Sequence, residues 1–193
     1  MYGKIEDSGE ERNDEMRTDY DGEERTLLIL GAGGLGQVVA ESAQMSGRYT
    51  KIAFLDDNPS EEKSRLYTII GKVSDAKQFV GEYIYAIPAF GNNEKRYEVM
   101  KKLREYGYRI PRIIHHTAHI SPTAAIGEGT IVRPMVGISR DVVIGECCLI
   151  NMGAMIDHRC KIGRCTHIPM NAVVRGEITV PPMSSFPAGS VIE

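Results

Sequence analysis

An aliphatic residue returns at every sixth position through the C-terminal part of the chain. From position 120 to position 192, twelve of the thirteen positions in this register hold Ile or Val, and the remaining one is Phe186. Ile and Val together make up 34 of the 193 residues, so chance would place only about two of them in this register. A residue no larger than Ile follows four positions after each of the first twelve. A period of six therefore governs this part of the fold.

This period is typical of a triangular β-helix, in which each hexad forms one flat side and its aliphatic side chain fills the interior. Three hexads close one coil, so residues 18 apart stack on adjacent coils at a strand spacing of roughly 4.8 Å. Gly127, Gly145 and Gly163 fit this register. We expect them at one corner of three successive coils, where a residue without Cβ turns most easily.

The part of the chain before residue 114 has a different pattern. Thr26–Leu30 is a short apolar run, followed by the glycine-rich turn GAGGLG and a segment with helical spacing. Further apolar runs at 51–57 and 83–88 predict two more strands, and a helix predicted after them ends at Gly107. Strands alternating with helices predict a small α/β domain with a parallel sheet over residues 26–113.

Charge and composition exclude several kinds of protein. Residues 1–25 carry ten acidic and four basic side chains with no apolar run, which predicts an acidic mobile tail and no secretory signal. The net charge of −3 gives no basic footprint for nucleic acid, and no stretch approaches the roughly 18 apolar residues of a membrane helix. The four cysteines form no CxxC pair. We expect a cytoplasmic protein with free thiols, although Cys147 and Cys165, which are 18 residues apart, should stack within reach of a disulfide.

The loop Gly31-x-Gly33-x-x-Gly36 lies between a strand and a helix, so its backbone N–H groups can hold a phosphate. Asp56, twenty residues after Gly36, stands where an acidic residue binds a ribose hydroxyl in NAD-binding folds. The domain has only about three or four strands, roughly half a dinucleotide fold, which favours a mononucleotide-sized ligand. A tight turn without a ligand and an NAD(P)-binding enzyme remain alternatives.

His158 stands between Ile156 and Cys160, which take the interior positions of its hexad, so its side chain is predicted to point outward. An outward imidazole can serve as a general base or be an ordinary surface residue. His167 lies nine residues on, half a coil away. The two histidines therefore occupy different sides of the prism and can meet only across a subunit boundary, which fits a trimer with sites between its subunits.

Taken in order, these segments resemble the bacterial sugar acyltransferases with hexapeptide repeats, the UDP-4-amino-sugar N-acetyltransferases and sialic acid O-acetyltransferases. The resemblance implies a Rossmann-like domain that binds a sugar nucleotide, followed over residues 114–193 by a left-handed parallel β-helix that trimerises and binds acetyl-CoA between subunits. The segments that carry it are GAGGLG (31–36), FLDD (54–57), GNNEKR (91–96), ISPTAAIGEGTIV (120–132) and IDHRCKIGRCTHI (156–168).

The resemblance also implies roles for individual residues. His158 falls on the family's general base, which takes a proton from the sugar amine or hydroxyl as it attacks the thioester directly. His167 is implied in binding acetyl-CoA, and no metal is implied. The residues implied in binding the nucleotide-linked sugar are Gly33, Gly34, Leu35, Asp56, Asp57 and Gly91. The expected protein is a homotrimeric, acetyl-CoA-dependent acyltransferase with no nucleic-acid or membrane partner.

Two features depart from the family pattern. Arg159 stands where family members carry an acidic residue, and its charge would lower the imidazole pKa. Asp141 and Glu177, each 18 residues away, are expected to stack on either side of Arg159 and neutralise it. The last hexads are rich in proline, which predicts an irregular final coil. A non-catalytic trimer that only binds a sugar nucleotide therefore stays open as an alternative.

Overall fold

The computed structural model describes residues 25–60 and 66–193. The predicted acidic tail is residues 1–25, of which residues 1–24 lie outside the described residues. The described chain forms an α/β unit followed by a three-sided column of short strands.

The α/β unit contains a four-stranded parallel sheet with the strand order β3-β2-β1-β4. β1 lies in its interior and is buried at all five residues, as expected for a parallel strand covered on both faces. β3 was not predicted, because three residues are too few to show a period. The elements are β1 (Thr26–Leu30), α1 (Gly34–Met45), β2 (Lys51–Leu55), β3 (Ile69–Gly71), a 3₁₀ helix (Val73–Phe79), β4 (Tyr85–Pro88) and α2 (Asn93–Tyr106).

Local sequence accounts for the ends of both helices. A Cβ on Gly36 would lie 1.9 Å from the carbonyl oxygen of Gly31, so α1 can start this close to β1 only with glycine there. α2 begins after Asn92, whose side chain accepts a hydrogen bond from the Lys95 N–H at 2.8 Å. It ends, as predicted, at Gly107 in the left-handed region with a φ of 94°.

The hexads form thirteen two-residue strands, counted within the described residues, in three parallel sheets. Paired residues are 18 apart in most of the column, so Ile144 stacks on both Ile126 and Ile162. The expected fold class, a Rossmann-like domain followed by a left-handed β-helix, is confirmed. The strands are β5 (Ile113–Ile114), β6 (His119–Ile120), β7 (Ala125–Ile126), β8 (Ile131–Val132), β9 (Gly137–Ile138), β10 (Val143–Ile144), β11 (Leu149–Ile150), β12 (Met155–Ile156), β13 (Lys161–Ile162), β14 (His167–Ile168), β15 (Val173–Val174), β16 (Thr179–Val180) and β17 (Val191–Ile192).

The outer faces of the three β-helix sheets have different surroundings. The domain-facing sheet, β14-β11-β8-β5, packs Ile113, Ile131 and Leu149 into one cluster with the core of the α/β unit. The apolar-faced sheet, β17-β15-β12-β9-β6, exposes Met155 and Val173. The third sheet is β16-β13-β10-β7. Aliphatic side chains at the period-six positions fill the space between the three sheets.

The corner glycines have a different cause from the one predicted. Gly127, Gly145 and Gly163 follow stacked strands, as expected, but none of them has a positive φ. A Cβ on Gly145 would lie 2.6 Å from the Arg164 backbone nitrogen on the next coil. Close approach of adjacent coils, and not ease of turning, therefore requires glycine. The left-handed corner positions recur every six residues and hold Gly129, Met135, Asp141, Cys147, Gly153, Arg159, Cys165, Asn171, Glu177, Met183 and Gly189.

The proline-rich end is irregular, as predicted. Between β16 and β17 the expected strand around Phe186 is replaced by an isolated bridge between Ser185 and His167. Regular pairing returns at Val191 and Ile192, which stack on β15.

Candidate functional site

A pocket of about 280 Å³ lies where β1, β2 and β4 end. Ligands of open α/β sheets bind at this edge. The structure brings together in its wall all six residues implied in sugar-nucleotide binding, and their contacts with a ligand stay a prediction. The wall consists of Gly31, Gly33, Gly34, Leu35, Asp56, Asp57, Asn58, Val73, Ala89, Phe90, Gly91 and Lys95.

Two features of the pocket suit an anionic ligand. Gly33 is the N-cap of α1 and has no side chain to cover the first N–H groups, and the first turn carries no acidic residue. The space where a Cβ on Gly33 or Gly34 would point is open, so a phosphate can reach the helix N-terminus. Lys95, which sequence reasoning did not single out, adds a cation whose Nζ lies 4.4 Å from the centre of the Phe90 ring.

The two adjacent aspartates of the pocket differ in their surroundings. Asp56 is 8% exposed. Its two carboxylate oxygens accept backbone N–H groups of Ala32 and Asn58, at 2.7 and 2.8 Å. These bonds hold the glycine loop against the loop after β2. Asp57 is exposed, and its Oδ1 accepts the Val73 N–H at 3.0 Å. Asp57 is therefore the better placed of the two to accept a hydrogen bond from a ligand.

His158 lies in the turn after β12, and its partly exposed side chain points outward as predicted. Asp157 Oδ1 accepts the backbone N–H of His158 at 2.7 Å and lies 2.8 Å from imidazole Nδ1. The side-chain bond to His158 is the main cause that lowers the pKa of Asp157, so this group is a carboxylate that can only accept. Nδ1 therefore carries the proton, which leaves the lone pair on Nε2. The acid directly before the histidine was the signal that sequence reasoning missed.

Gly176 lies one coil beyond His158 and makes room for its ring. A Cβ at this position would lie 2.7 Å from His158 Cε1 and 3.1 Å from each ring nitrogen. The imidazole is thus held between the Asp157 carboxylate and a backbone that carries no side chain.

Arg159 forms an ion pair with Glu177 on the next coil, as the register predicted. Asp141 lies one coil before Arg159, as predicted, and its charge contributes to raising the pKa of Arg159. Its direct ion pair is with Arg140, at 3.0 Å between Arg140 Nε and Asp141 Oδ2. The hydrogen bond to Arg159 lowers the pKa of Glu177, so both members of the pair are charged at neutral pH. Glu177 therefore offsets the positive charge next to the predicted base.

His167 lies on β14 of the domain-facing sheet, on a different side of the prism from the turn that carries His158. Burial, and to a smaller extent the positive charge of Arg96, lowers the pKa of His167. Its ring Nε2 lies 3.2 Å from Nδ2 of Asn151. His167 is therefore a neutral ring at neutral pH.

Arg96 connects the pocket to the β-helix. It is fully buried on α2, and its five N–H groups have five oxygen acceptors within 2.8–3.4 Å. Because its acceptors include pocket-wall carbonyls and two stacked corners of the coils, Arg96 fixes one unit against the other. The acceptors are the carbonyl oxygens of Phe90, Gly91, Cys147 and Cys165 and the side-chain oxygen of Asn93. Cys147 and Cys165 are free thiols, as expected.

The apolar-faced sheet carries a stacked row of exposed apolar side chains next to the turn of His158. Met155, Val173 and Val191 stack 18 apart and are 53%, 39% and 58% exposed. A continuous apolar row of this kind is typical of a surface that another chain covers.

Two features are absent from residues 25–60 and 66–193. No three His, Cys, Asp or Glu side chains there are grouped so that they could hold a metal ion. Neither helix in the same ranges is long and apolar enough to cross a membrane.

The fold and these sites define a class of protein, a Rossmann-like domain with a strand-end pocket joined to a hexapeptide-repeat β-helix. Comparison with protein families agrees in both halves. Residues 26–103 match the family described as PglD N-terminal domain. Residues 141–176 match the family described as bacterial transferase hexapeptide (six repeats). The resemblance to hexapeptide-repeat sugar acyltransferases is thereby confirmed.

Individual relatives agree with the family matches. UDP-N-acetylbacillosamine N-acetyltransferase of Bacillus subtilis (strain 168) is 30% identical over 111 residues, which are 56% of this chain and 51% of that protein. The chain thus spans about half the length of this curated relative. The acetyltransferase domain of PglB from Neisseria gonorrhoeae FA1090 is 29% identical with a TM-score of 0.79, covering 88% of this chain and 91% of that one. PerB from Caulobacter crescentus, solved in complex with CoA and GDP-perosamine, is 26% identical with a TM-score of 0.77, covering 87% and 88%.

Proposed function

We propose that this protein is an acetyl-CoA-dependent acyltransferase that acetylates an amine or hydroxyl of a nucleotide-linked sugar, with His158 as the general base. The observation that carries the proposal is the Asp157–His158 pair on a hexapeptide coil, which leaves Nε2 with its lone pair. Asp157 supplies the acidic partner that His158 would otherwise lack, because position 159 holds an arginine. The acyl donor is supported by a similar PglB domain solved in complex with acetyl coenzyme A, at 29% identity. An amine acceptor is favoured, because the Bacillus relative is an N-acetyltransferase.

The chemistry of this site needs no covalent enzyme intermediate. His158 Nε2 takes a proton from the sugar nitrogen as that nitrogen attacks the thioester carbonyl carbon. A C–N bond forms, the C–S bond breaks, and the departing thiolate takes the proton back from the imidazolium. Asp157, charged and bound to Nδ1, stabilises the imidazolium while it exists, as the buried aspartate does in a serine protease triad.

The pocket at the end of the sheet is proposed to hold the nucleotide part of the acceptor. Phosphate groups would lie at the N-terminus of α1, next to Gly33 and Gly34, with Lys95 as a counter-charge. Asp57 would accept a hydrogen bond from the base or ribose. Arg96 holds the opposite wall, at Phe90 and Gly91, against the coils that carry the acyl-donor site.

A homotrimer is proposed because it would cover the apolar row and complete the site. A second copy of the chain would bury Met155, Val173 and Val191. Since His158 and His167 lie on different sides of one prism, a groove between two subunits is where one subunit's His158 and another's His167 would meet. The trimer and the cytoplasmic location stay predictions.

Two alternatives are weaker than the proposal. A trimer that binds sugar nucleotides without catalysis was suggested by Arg159, and the pairing of Arg159 with Glu177 removes much of that reason. An NAD(P)-binding enzyme would need Asp56 for the ribose, and both oxygens of Asp56 already accept backbone N–H groups.

Native mass spectrometry of the purified protein separates these functions by the ligands it retains. The proposal predicts binding of both acetyl-CoA and a UDP-4-amino sugar, and acetylated sugar when both are present. Binding of the sugar nucleotide alone supports the non-catalytic protein, and binding of NAD(P) alone supports the dinucleotide enzyme. Either of these two results would overturn the proposal.

A further inference from the structure

Asn151 links an arginine to His167 at one corner of the β-helix. It follows β11, and Arg133 lies 18 residues earlier after β8, so the two side chains stack on adjacent coils. Arg133 Nη1 donates to Asn151 Oδ1 at 3.0 Å. On its other side, Asn151 Nδ2 lies 3.2 Å from His167 Nε2. The three side chains form a continuous hydrogen-bonded row beside the domain-facing sheet.

The donors in this row fix the orientation of the Asn151 amide. Arg133 Nη1 and the Met152 backbone N–H, at 2.9 Å, both meet the same side-chain atom of Asn151. A guanidinium and a backbone N–H can only donate, so the shared atom is the amide oxygen. The amide nitrogen of Asn151, which can only donate, therefore faces His167.

The orientation of Asn151 decides the tautomer of His167. Because Asn151 Nδ2 donates, His167 Nε2 must accept and carries no proton. A neutral imidazole has one proton, and here it must reside on Nδ1. The only lone pair of the ring is then engaged by Asn151, so His167 can donate a hydrogen bond but cannot act as a base.

The position of Arg133 in this row is unfavourable for a guanidinium, because the group is partly buried and one of its donors has no acceptor among the described residues. Arg133 is half-buried, and burial lowers its pKa. Its Nε is buried without a hydrogen-bond partner in residues 25–60 and 66–193. A buried donor without an acceptor destabilises the fold. The guanidinium therefore stays in this position at a cost at Nε, while its Nη1 donates to Asn151.

We propose that Arg133 and Asn151 are positioning residues that hold His167 in its neutral Nδ1–H tautomer, so that it presents a donor to a carbonyl oxygen of the acyl donor. The identity of that ligand rests on the proposed function, whereas the tautomer rests on hydrogen bonds within the chain. The two histidines would then divide the work, with His158 accepting the proton and His167 binding the acyl donor.

The tautomer can be read directly from two-bond ¹H–¹⁵N correlation spectra of the whole protein labelled at its five histidines, with His167→Gln to assign the signals. We expect His167 to be protonated at Nδ1 and unprotonated at Nε2. Asn151→Asp replaces the donor amide with an acceptor of the same shape and should move the proton to Nε2. Asn171→Asp, which adds the same charge at an exposed corner, is the matched control and should leave the His167 signals unchanged.

Kinetics then connect the tautomer to binding. Asn151→Asp should raise the KM for acetyl-CoA by about tenfold, the cost of one hydrogen bond, with little change in the KM for the sugar nucleotide. A proton on Nε2 of the unmodified protein, or a tautomer that Asn151→Asp does not change, would overturn the proposal. Because the spectra require no substrate, an inactive protein with the expected tautomer would contradict the proposed function and leave the tautomer assignment supported.

Discussion

Replacing Gly176 by alanine is expected to disable the base without unfolding the protein. The new Cβ would lie 2.7 Å from His158 Cε1, whereas ordinary contact begins near 3.4 Å, so the ring must retreat by about 0.7 Å. This movement takes Nδ1 away from the Asp157 carboxylate or moves Nε2 away from the acceptor. A misplacement of about 1 Å can reduce a rate roughly 10²-fold, so we expect kcat to fall by about 10- to 100-fold.

The Gly176→Ala protein should remain as stable as the unmodified one. Gly176 has no positive φ, so alanine adopts its backbone conformation without strain, and the change in the free energy of unfolding should stay within about 1 kcal/mol. Gly81→Ala is the matched control, because a Cβ there meets open space. Release of free CoA thiol measures kcat, and urea unfolding measures stability. A Gly176→Ala enzyme within about twofold of full kcat would refute the steric argument.

Three further predictions follow from the site and its supports. Asp157→Asn keeps the size of the side chain and removes its charge, so kcat should fall by about 10² or more while thermal stability changes little; a kcat that stays the same would exclude Asp157 from the mechanism. Arg96→Met removes a buried group with five hydrogen bonds and should lower the free energy of unfolding by about 3–5 kcal/mol. The control Arg104→Met breaks only partly exposed ion pairs and should lower the free energy of unfolding by less than about 1 kcal/mol. Equal losses in urea unfolding would contradict this. Burial lowers the pKa of His167 in the folded state, so as pH falls below about 6.5 the unfolded chain binds the proton first and the stability of the fold declines. The Tm of His167→Gln should therefore fall less than the Tm of the unmodified protein between about pH 7.5 and 5.5. An equal fall in Tm would count against a buried neutral ring.

The β-helix could be predicted nearly residue by residue, because its period is a direct consequence of geometry. Each predicted interior position except 186 ends a two-residue strand. The corner conformations could not be predicted. Asp141, Arg159 and Cys165 adopt positive φ where glycine would be the ordinary expectation. Stacking between coils imposes this conformation, and the local propensities of these residues do not indicate it.

The site was predictable where neighbours in sequence are also neighbours in space. The glycine loop and the FLDD segment predicted the position of the pocket, because residues that follow parallel strands share one edge of the sheet. Arg96 lay within a motif used for the resemblance, yet its role depends on carbonyls 51 and 69 residues away. Asp157 was adjacent to His158, but whether it reaches Nδ1 depends on the turn geometry. The hydrogen bond between Asn151 and His167 joins adjacent coils of one sheet across 16 residues, two short of the 18-residue register, so the period alone does not reveal it.

The most direct test of the central claim is the initial rate of acetylated product, followed by mass spectrometry, from acetyl-CoA and a panel of UDP-amino sugars. The unmodified protein would be compared with His158→Asn and with His119→Asn. His119 is an exposed histidine on β6, in the sheet whose strand β12 precedes the turn of His158. The account predicts product from the unmodified and His119→Asn proteins, and a rate lower by about 10² or more for His158→Asn. Absence of product from every sugar while a sugar nucleotide still binds, or a His158→Asn rate equal to that of the unmodified protein, would contradict it.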